Sequence, residues 1–225
     1  MIELDTLYNR DCMEGMKEIP DGYFDIAVVD PPYGIGMDGQ RESVDLRGGR
    51  RLYRKKHENY GWDKAIPGED YFRELERVSR EQIIFGANYF VEHLHKGTKG
   101  WIVWDKAQHG LTMSDCELVY TSFNVPTRVV VISRGELARE DTFHPTQKPV
   151  KLYQWILANY AMKGQKILDT HAGSGACLIA CYRMECPYVG FEINETYWKK
   201  ANERIAAEKA QIRMIDLLEG KANEA

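Results

Sequence analysis

Ile167-Leu168-Asp169-Thr170-His171-Ala172-Gly173-Ser174-Gly175 runs straight into A-C-L-I-A-C-Y-R-M, residues 176–184. This is a short apolar strand, a glycine-rich turn and then an apolar-faced helix. Glycines in such a turn let the backbone come close to a ligand at a strand end, where α/β proteins bind nucleotides. The next apolar run, Tyr188-Val189-Gly190-Phe191, closes on Glu192, about 20 residues further on, where a carboxylate can accept from ribose hydroxyls. A lone G-x-G is weak evidence. Strand, loop, helix, strand and acid together form a cofactor signature.

The same alternation continues outward. Strands are predicted at Thr6–Tyr8, Phe24–Val29, Gln82–Phe85, Trp101–Trp104, Leu118–Thr121, Arg128–Ile132, Lys166–Asp169 and Tyr188–Phe191. Helices are predicted at Cys12–Ile19, Glu69–Ser79, Asn88–His95, Val150–Met162, Gly175–Met184 and Glu195–Ala210. This rhythm implies an α/β protein with a largely parallel sheet. Two stretches break it: a long polar loop rich in Gly and Arg from Gly34 to about Tyr60, and a shorter polar connection from Ser133 to Phe143. There is no internal repeat and no interdomain linker. The expectation is one catalytic domain over 1–219, carrying a basic loop at 35–60, with 220–225 a flexible tail.

Composition sets the outer limits. The chain has 225 residues, 44% of them hydrophobic and 28% charged, which describes one globular domain with a sizeable core. No apolar run approaches the roughly 20 residues of a membrane span. The N-terminus is acidic and has no signal-peptide core, so a cytoplasmic protein is expected. Five cysteines without a C-x-x-C pair argue against a disulfide framework and against a ribbon-type zinc site, and no metal is expected. The formal net charge of −4 predicts no general liking for nucleic acid. Placement says more: Arg47, Arg50, Arg51, Arg54, Lys55 and Lys56 crowd one short segment, a candidate phosphate contact.

Asp30-Pro31-Pro32-Tyr33 follows the apolar run F-D-I-A-V-V. Successive prolines fix φ and remove two backbone donors, so the chain leaves the strand in a rigid extended turn. Their carbonyls and the Asp30 carboxylate can accept hydrogen bonds, and Tyr33 adds a flat face. Acceptors beside an aromatic platform suit a planar base that bears an amino group. Gly34-Ile35-Gly36-Met37-Asp38-Gly39 matches G-x-G-x-x-G, but two prolines precede it and no apolar-faced helix follows, so it is rejected as a dinucleotide site. His144-Pro145-Thr146-Gln147-Lys148-Pro149 is a rigid polar loop before a helix, and its Lys148 is a ready partner for a carboxylate.

With D-P-P-Y-G, H-P-T-Q-K-P, A-G-S-G and F-E-I-N in this order, the chain resembles the β class of DNA amino-methyltransferases over nearly its whole length. The resemblance implies a circularly permuted Rossmann-like methyltransferase fold, a mixed seven-stranded sheet flanked by helices, with S-adenosylmethionine as cofactor and DNA as partner. It implies that Asp30, Pro31, Pro32 and Tyr33 are catalytic. It places Asp169, Ala172, Gly173 and Gly175 at the methionine and ribose end of the cofactor, Glu192 on the ribose hydroxyls, and Thr146 and Lys148 near the methionine carboxylate. Asp11 and Cys12 resemble the element that contacts the cofactor adenine. A homodimer is an expectation at family level. Where the family commonly has Pro-Phe, this chain has Thr170-His171, so His171 is a candidate contact at the methionine end. The family often carries a substantial target-recognition segment before H-P-T-Q-K-P, and only Ser133–Phe143 stands there.

The implied reaction is methyl transfer to an exocyclic amine. Asp30 favours N6 of adenine, since relatives acting on N4 of cytosine more often have Ser there. C5 methylation needs a cysteine nucleophile, typically in a Pro-Cys step, which is absent. Similar loops in protein and RNA methyltransferases usually begin with Asn. A non-catalytic nucleic-acid-binding module is the reading from another class, and intact Asp30, Tyr33, Gly173, Gly175 and Glu192 weigh against it.

Overall fold

The computed structural model describes residues 2–39, 43–47, 50–54, 58, 60–110, 114–140 and 142–218. Ten strands and five α-helices are found among them. They run β1 (Thr6–Tyr8), α1 (Cys12–Met16), β2 (Phe24–Val29), β3 (Ser43–Arg47), β4 (Arg50–Arg54), α2 (Glu69–Val78), β5 (Ser79–Phe85), β6 (Trp101–Asp105), β7 (Cys116–Thr121), β8 (Arg128–Val131), α3 (Val150–Tyr160), β9 (Ile167–Asp169), α4 (Ala176–Arg183), β10 (Tyr188–Phe191) and α5 (Glu195–Leu218).

Eight strands form one mixed sheet in the order β1-β10-β9-β2-β5-β7-β6-β8. The expected sheet of seven is widened by β8, which pairs parallel with β6 at the edge. From β1 to β5 all neighbours are parallel, and β7 runs antiparallel to both of its neighbours. The parallel strands are buried on both faces, as crossover helices require. One face packs Ile26, Val28, Ile83 and Ile167 against α3 and α4. The other packs Ala27, Val29 and Ile84 against α1 and α2. The N-terminal strand β1 pairs with the C-terminal strand β10, Thr6 opposite Val189, so the chain's two ends complete one half of the sheet.

Two readings change. Asn88–His95 is not an α-helix but two short 3₁₀ turns, Ala87–Tyr89 and Val91–His93. Phe90 breaks the run: its ring is fully buried and its backbone, at φ −123° and ψ 15°, lies outside helical geometry. The polar loop after Tyr33 contains an antiparallel hairpin, with β3 pairing β4 from Ser43 opposite Arg54 to Arg47 opposite Arg50. The sequence carries signals for it, Val44 and Leu46 alternating with polar residues and Gly48-Gly49 between the two runs, but the density of Gly and Arg masks them in a reading as a polar loop. The tail at 220–225 lies outside the described residues.

α2 buries Tyr71, Phe72, Leu75 and Val78, one helical face. Near its C-terminus, Arg77 donates to the Met16 and Ile19 carbonyls at 2.8 Å each, and pairs with Asp21 and Glu74. These carbonyls end α1 and its following turn, where helical partners run out. Arg77→Ala is therefore expected to cost ~2 kcal/mol in urea denaturation, the scale of removing hydrogen bonds from a charged group. Arg77→Lys, which cannot fork, should recover only part of it.

Candidate active site

Between β9 and β2 the strand order reverses, because β9 leads through α4 outward to β10 while β2 leads through α2 the other way to β5. Such a reversal opens a crevice at the carboxyl ends of the strands. Here it is a cleft of about 760 Å³. The Gly-rich turn after β9 forms one wall and the proline turn after β2 another. The loop before α3 and the N-terminus of α1 complete it.

The Gly-rich wall is built by backbone geometry. Gly173 and Gly175 have φ of 50° and 73°, values that side-chain-bearing residues rarely adopt. Glu192, at the end of β10, accepts the Gly173 N–H at 2.9 Å on one oxygen and the Asn194 N–H at 2.8 Å on the other. Burial pushes its carboxyl up to about 7, against the pull of those two donors. Asp169 accepts the His171 N–H at 3.1 Å, and burial pushes it likewise to about 7. His171 is pushed down to about 4 by burial, so its ring is neutral at physiological pH. Its Nδ1 lies 2.9 Å from the Thr170 hydroxyl, itself 2.7 Å from the Tyr71 hydroxyl.

The proline wall is ionic. Asp30 accepts the Tyr33 O–H at 2.6 Å on one oxygen and the Lys148 ammonium on the other. Lys148 also donates to the Tyr33 hydroxyl at 3.2 Å and lies 3.3 Å from Glu117, which pairs with Lys106 at 2.9 Å. Burial pushes Asp30 above the ordinary carboxylate range, opposed by Lys148. Burial works the same way on Glu117, but Lys148 and Lys106 together hold it below the ordinary value. The Tyr33 ring stacks on Tyr89 at 5.0 Å. A second, smaller cavity of about 240 Å³ adjoins the cleft, lined by Pro31, Tyr33, Met37 and Asp63. Asp30, Pro32, Trp62 and Thr146 belong to both cavities, so the Asp30 carboxylate stands where they meet.

Residues 103–203 match the DNA methylase family N6_N4_Mtase. Together with the relatives and solved structures that follow, this match supports an N6-adenine or N4-cytosine DNA methyltransferase that uses S-adenosylmethionine. The chain is 22% identical to the type II methyltransferase M.HpaI of Haemophilus parainfluenzae, over 91% of this chain and 75% of that one. It is also 22% identical to the putative methylase YubD of Escherichia coli K12, over 88% of each. Among solved structures, the M1.HpyAVI–SAM complex aligns with a TM-score of 0.58 at 19% identity, covering 88% of this chain and 98% of that one. The cytosine-N4-specific PvuII DNA methyltransferase aligns with a TM-score of 0.58 at 13% identity, covering 92% of each. At such identities the structural likenesses establish the fold.

In this DNA methyltransferase most of the motif residues converge. Asp11, Cys12, Asp30, Pro32, Thr146, Lys148, His171, Ala172, Gly173 and Glu192 all line the main cleft. Asp11 caps α1, accepting the Met13 and Glu14 N–H groups at 2.8 and 3.2 Å. Burial pushes the Cys12 thiol up to about 12, so it stays protonated. Thr146 Oγ1 lies 3.2 Å from His144 Nδ1. Asp169 is buried behind the wall, and Gly175 faces α5, where an added Cβ would sit 3.1 Å from Ile205. Pro31 and Tyr33 lie on the smaller cavity. Arg47, Arg50, Arg51 and Arg54 are on the hairpin, while Lys55 and Lys56 lie outside the described residues.

The decoy glycines, Gly34 to Gly39, lead into no helix. Asp63 accepts the Gly34 and Met37 N–H groups at 2.7 Å each, and Asp38 accepts those of Gly61 and Trp62. Sequence reasoning missed Trp62, Gly86, Tyr89, Lys106 and Glu117, none of which sits in a motif. Gly86 alone carried a readable signal, a glycine closing the strand before a loop.

At Gly86, φ is +65° and an added Cβ would lie 2.2 Å from the Tyr33 ring. Gly86→Ala should cost ~1–2 kcal/mol from the left-handed backbone alone, displace Tyr33 and depress methyl transfer. Gly36→Ala shares the positive φ but meets nothing within 4 Å, so it should bring strain without displacing Tyr33. Denaturation and rate measurements on both variants separate the two effects.

Proposed function

We propose that the chain transfers a methyl group from S-adenosylmethionine to N6 of an adenine in DNA. The observation that carries this reading is the position of Asp30, whose carboxylate stands at the junction of the two cavities. The larger cleft suits the cofactor. It lies at the carboxyl ends of the strands where the order reverses, its Gly173 backbone has no side chain to keep a ligand away, and each Glu192 oxygen keeps acceptor capacity beyond its single backbone donor. Glu192 would take the ribose hydroxyls, and the neutral His171 would lie against the cofactor near Gly173. When bound, the cofactor supplies an electrophilic methyl group on a sulfonium.

The residues around the smaller cavity would present the amine. An adenine amino nitrogen is a weak nucleophile because its lone pair conjugates with the ring. Accepting its two hydrogens on Asp30 and on the Pro31 carbonyl localises that lone pair and aims it at the cleft, so catalysis is mainly orientation and electrostatics. Each Asp30 oxygen takes one protein donor, which leaves acceptor sites for the amine. The proton released after transfer has a buried, raised-pKa carboxylate beside it. A base in a duplex must flip out to reach this site. Tyr89 already covers one face of Tyr33, so a base would use the other. N4 of cytosine needs the same acceptors and is the second reading, favoured by the likeness to the cytosine-N4-specific PvuII enzyme. The Asp at the head of D-P-P-Y supports adenine.

Mass spectrometry of nucleosides from DNA incubated with the protein and cofactor separates the two bases. N6-methyladenine is expected, and N4-methylcytosine in its place would overturn the adenine reading. Asp30→Asn should lower the single-turnover rate about 10³-fold or more while calorimetric cofactor affinity changes little. Wild-type turnover in that variant would exclude Asp30 from the chemistry.

The hairpin is a candidate DNA-contacting ribbon, since a two-stranded antiparallel ribbon fits the major groove. Replacing Arg47, Arg50, Arg51 and Arg54 by Gln should weaken DNA binding. It should also flatten the slope of log K against log salt by about 0.9 for each phosphate that is no longer neutralised. An unchanged slope would clear the hairpin of that role.

A further inference from the structure

We propose that Glu117, braced by Lys106, is a positioning residue for methyl transfer: it holds the Lys148 ammonium in a fixed place against Asp30. The inference rests on reading Asp30 as the acceptor of the target amine.

Glu117 belongs to β7 and Lys106 follows β6, so the antiparallel β6–β7 pair contributes both groups, far in sequence from D-P-P-Y and H-P-T-Q-K-P. An ammonium has three N–H donors. Lys148, whose side chain is 4% exposed, has three acceptors around it: Asp30, the Tyr33 hydroxyl at 3.2 Å and Glu117 at 3.3 Å. The other Glu117 oxygen is held by Lys106 at 2.9 Å. Charges therefore alternate along a buried row, Lys106, Glu117, Lys148, Asp30, and sum to zero.

The second carboxylate changes what Lys148 does to the first. A buried lysine facing Asp30 alone would form a closed ion pair, and such a carboxylate is a poor acceptor for an incoming amine. Sharing the ammonium with Glu117 leaves Asp30 more basic, and three-point tethering keeps the ammonium from swinging into the cavity. Glu117 lines neither cavity, so it acts through Lys148 rather than on a ligand.

Lys148, Tyr33 and Glu117 face Asp30, and Tyr71, Tyr153 and Asp169 are close enough to sense its charge. Lys106, Lys148 and Tyr33 face Glu117. Removing the negative charge of Glu117 must lower the Asp30 pKa, because Glu117 raises it. Removing Lys106 frees the charge of Glu117 and must act in the opposite sense.

The test is the pH–rate profile of single-turnover methylation, with tritiated S-adenosylmethionine and genomic DNA, on the full chain. Glu117→Gln should move the acid limb down by about one pH unit and lower the plateau rate about tenfold, with cofactor affinity within about twofold of wild type. Lys106→Gln should move the acid limb up, and Glu117→Asp, which keeps the charge, should restore much of the plateau. Acid limbs that stay put, or shift the same way in both variants, overturn the proposal. If Glu117→Gln does not fold, the direction of the Lys106→Gln shift decides. A wild-type protein that transfers no methyl group sinks the reading of Asp30 and this inference with it.

Discussion

The parallel pairing of β2 with β9 is the constraint on which the site depends. These strands are adjacent in the sheet but remote in sequence, with Ile26 opposite Ile167 and Ala27 opposite Leu168. Their chains then diverge to opposite sides of the sheet, so no crossover helix covers the carboxyl ends between them. Asp30 and Asp169 end up on neighbouring strand ends, where a proline turn and a glycine turn face each other. The circular order of the chain matters less than this junction. Whichever segment comes first, β1 must lie beside β10 to close the glycine side.

Three carboxylates are withdrawn from water at this junction, and the fold handles them in two ways. Asp30 is given a cation. Asp169 and Glu192 are given backbone N–H groups, and both rise to about 7. For these two the folded pKa lies above the unfolded one. Their contribution to stability is therefore full below the ordinary carboxylate range and is lost as pH rises through about 7. The ligand-free protein thus carries a growing strain as pH rises through about 7 on the glycine side of the cleft. In the function proposed above, hydroxyl donors from a bound ribose would relieve it at Glu192, because they favour the ionised form. Burial raises Asp30 as well, so its contribution has the same sign, but the cation that opposes the rise, Lys148, is built into the protein.

Most of the sheet and the glycine wall were legible in the sequence, because both depend on local rules. Period-2 and continuous apolar runs marked β2, β9 and β10, and glycines marked the left-handed turn at 173–175. The hairpin reads as a loop because Gly and Arg dominate the segment, although Val44 and Leu46 alternate with polar residues and Gly48-Gly49 separates the two runs. Asn88–His95 has helix-like spacing, yet the demand to bury Phe90 between Phe72 and Tyr33 overrides it. The ionic row was invisible for another reason. Lys106 and Glu117 are ordinary charged residues in sequence, and only the β6–β7 register, with Trp104 opposite Glu117 and Asp105 opposite Cys116, brings them beside Lys148. Lys148 itself reads in the sequence as a partner for a carboxylate, and in the structure that partner is Asp30.

The rejected G-x-G-x-x-G segment has a different use from the one its spacing suggests. Gly34 and Met37 are tied to Asp63, and Gly61 and Trp62 to Asp38, so two buried carboxylates stitch the two roots of the hairpin together. Those same roots supply Met37, Trp62 and Asp63 to the smaller cavity beside Asp30. The described backbone on either side of the hairpin thus forms part of the cavity wall. In the function proposed above, the segments that flank the hairpin would link a DNA contact on it to the cavity beside Asp30, because they carry Met37, Trp62 and Asp63.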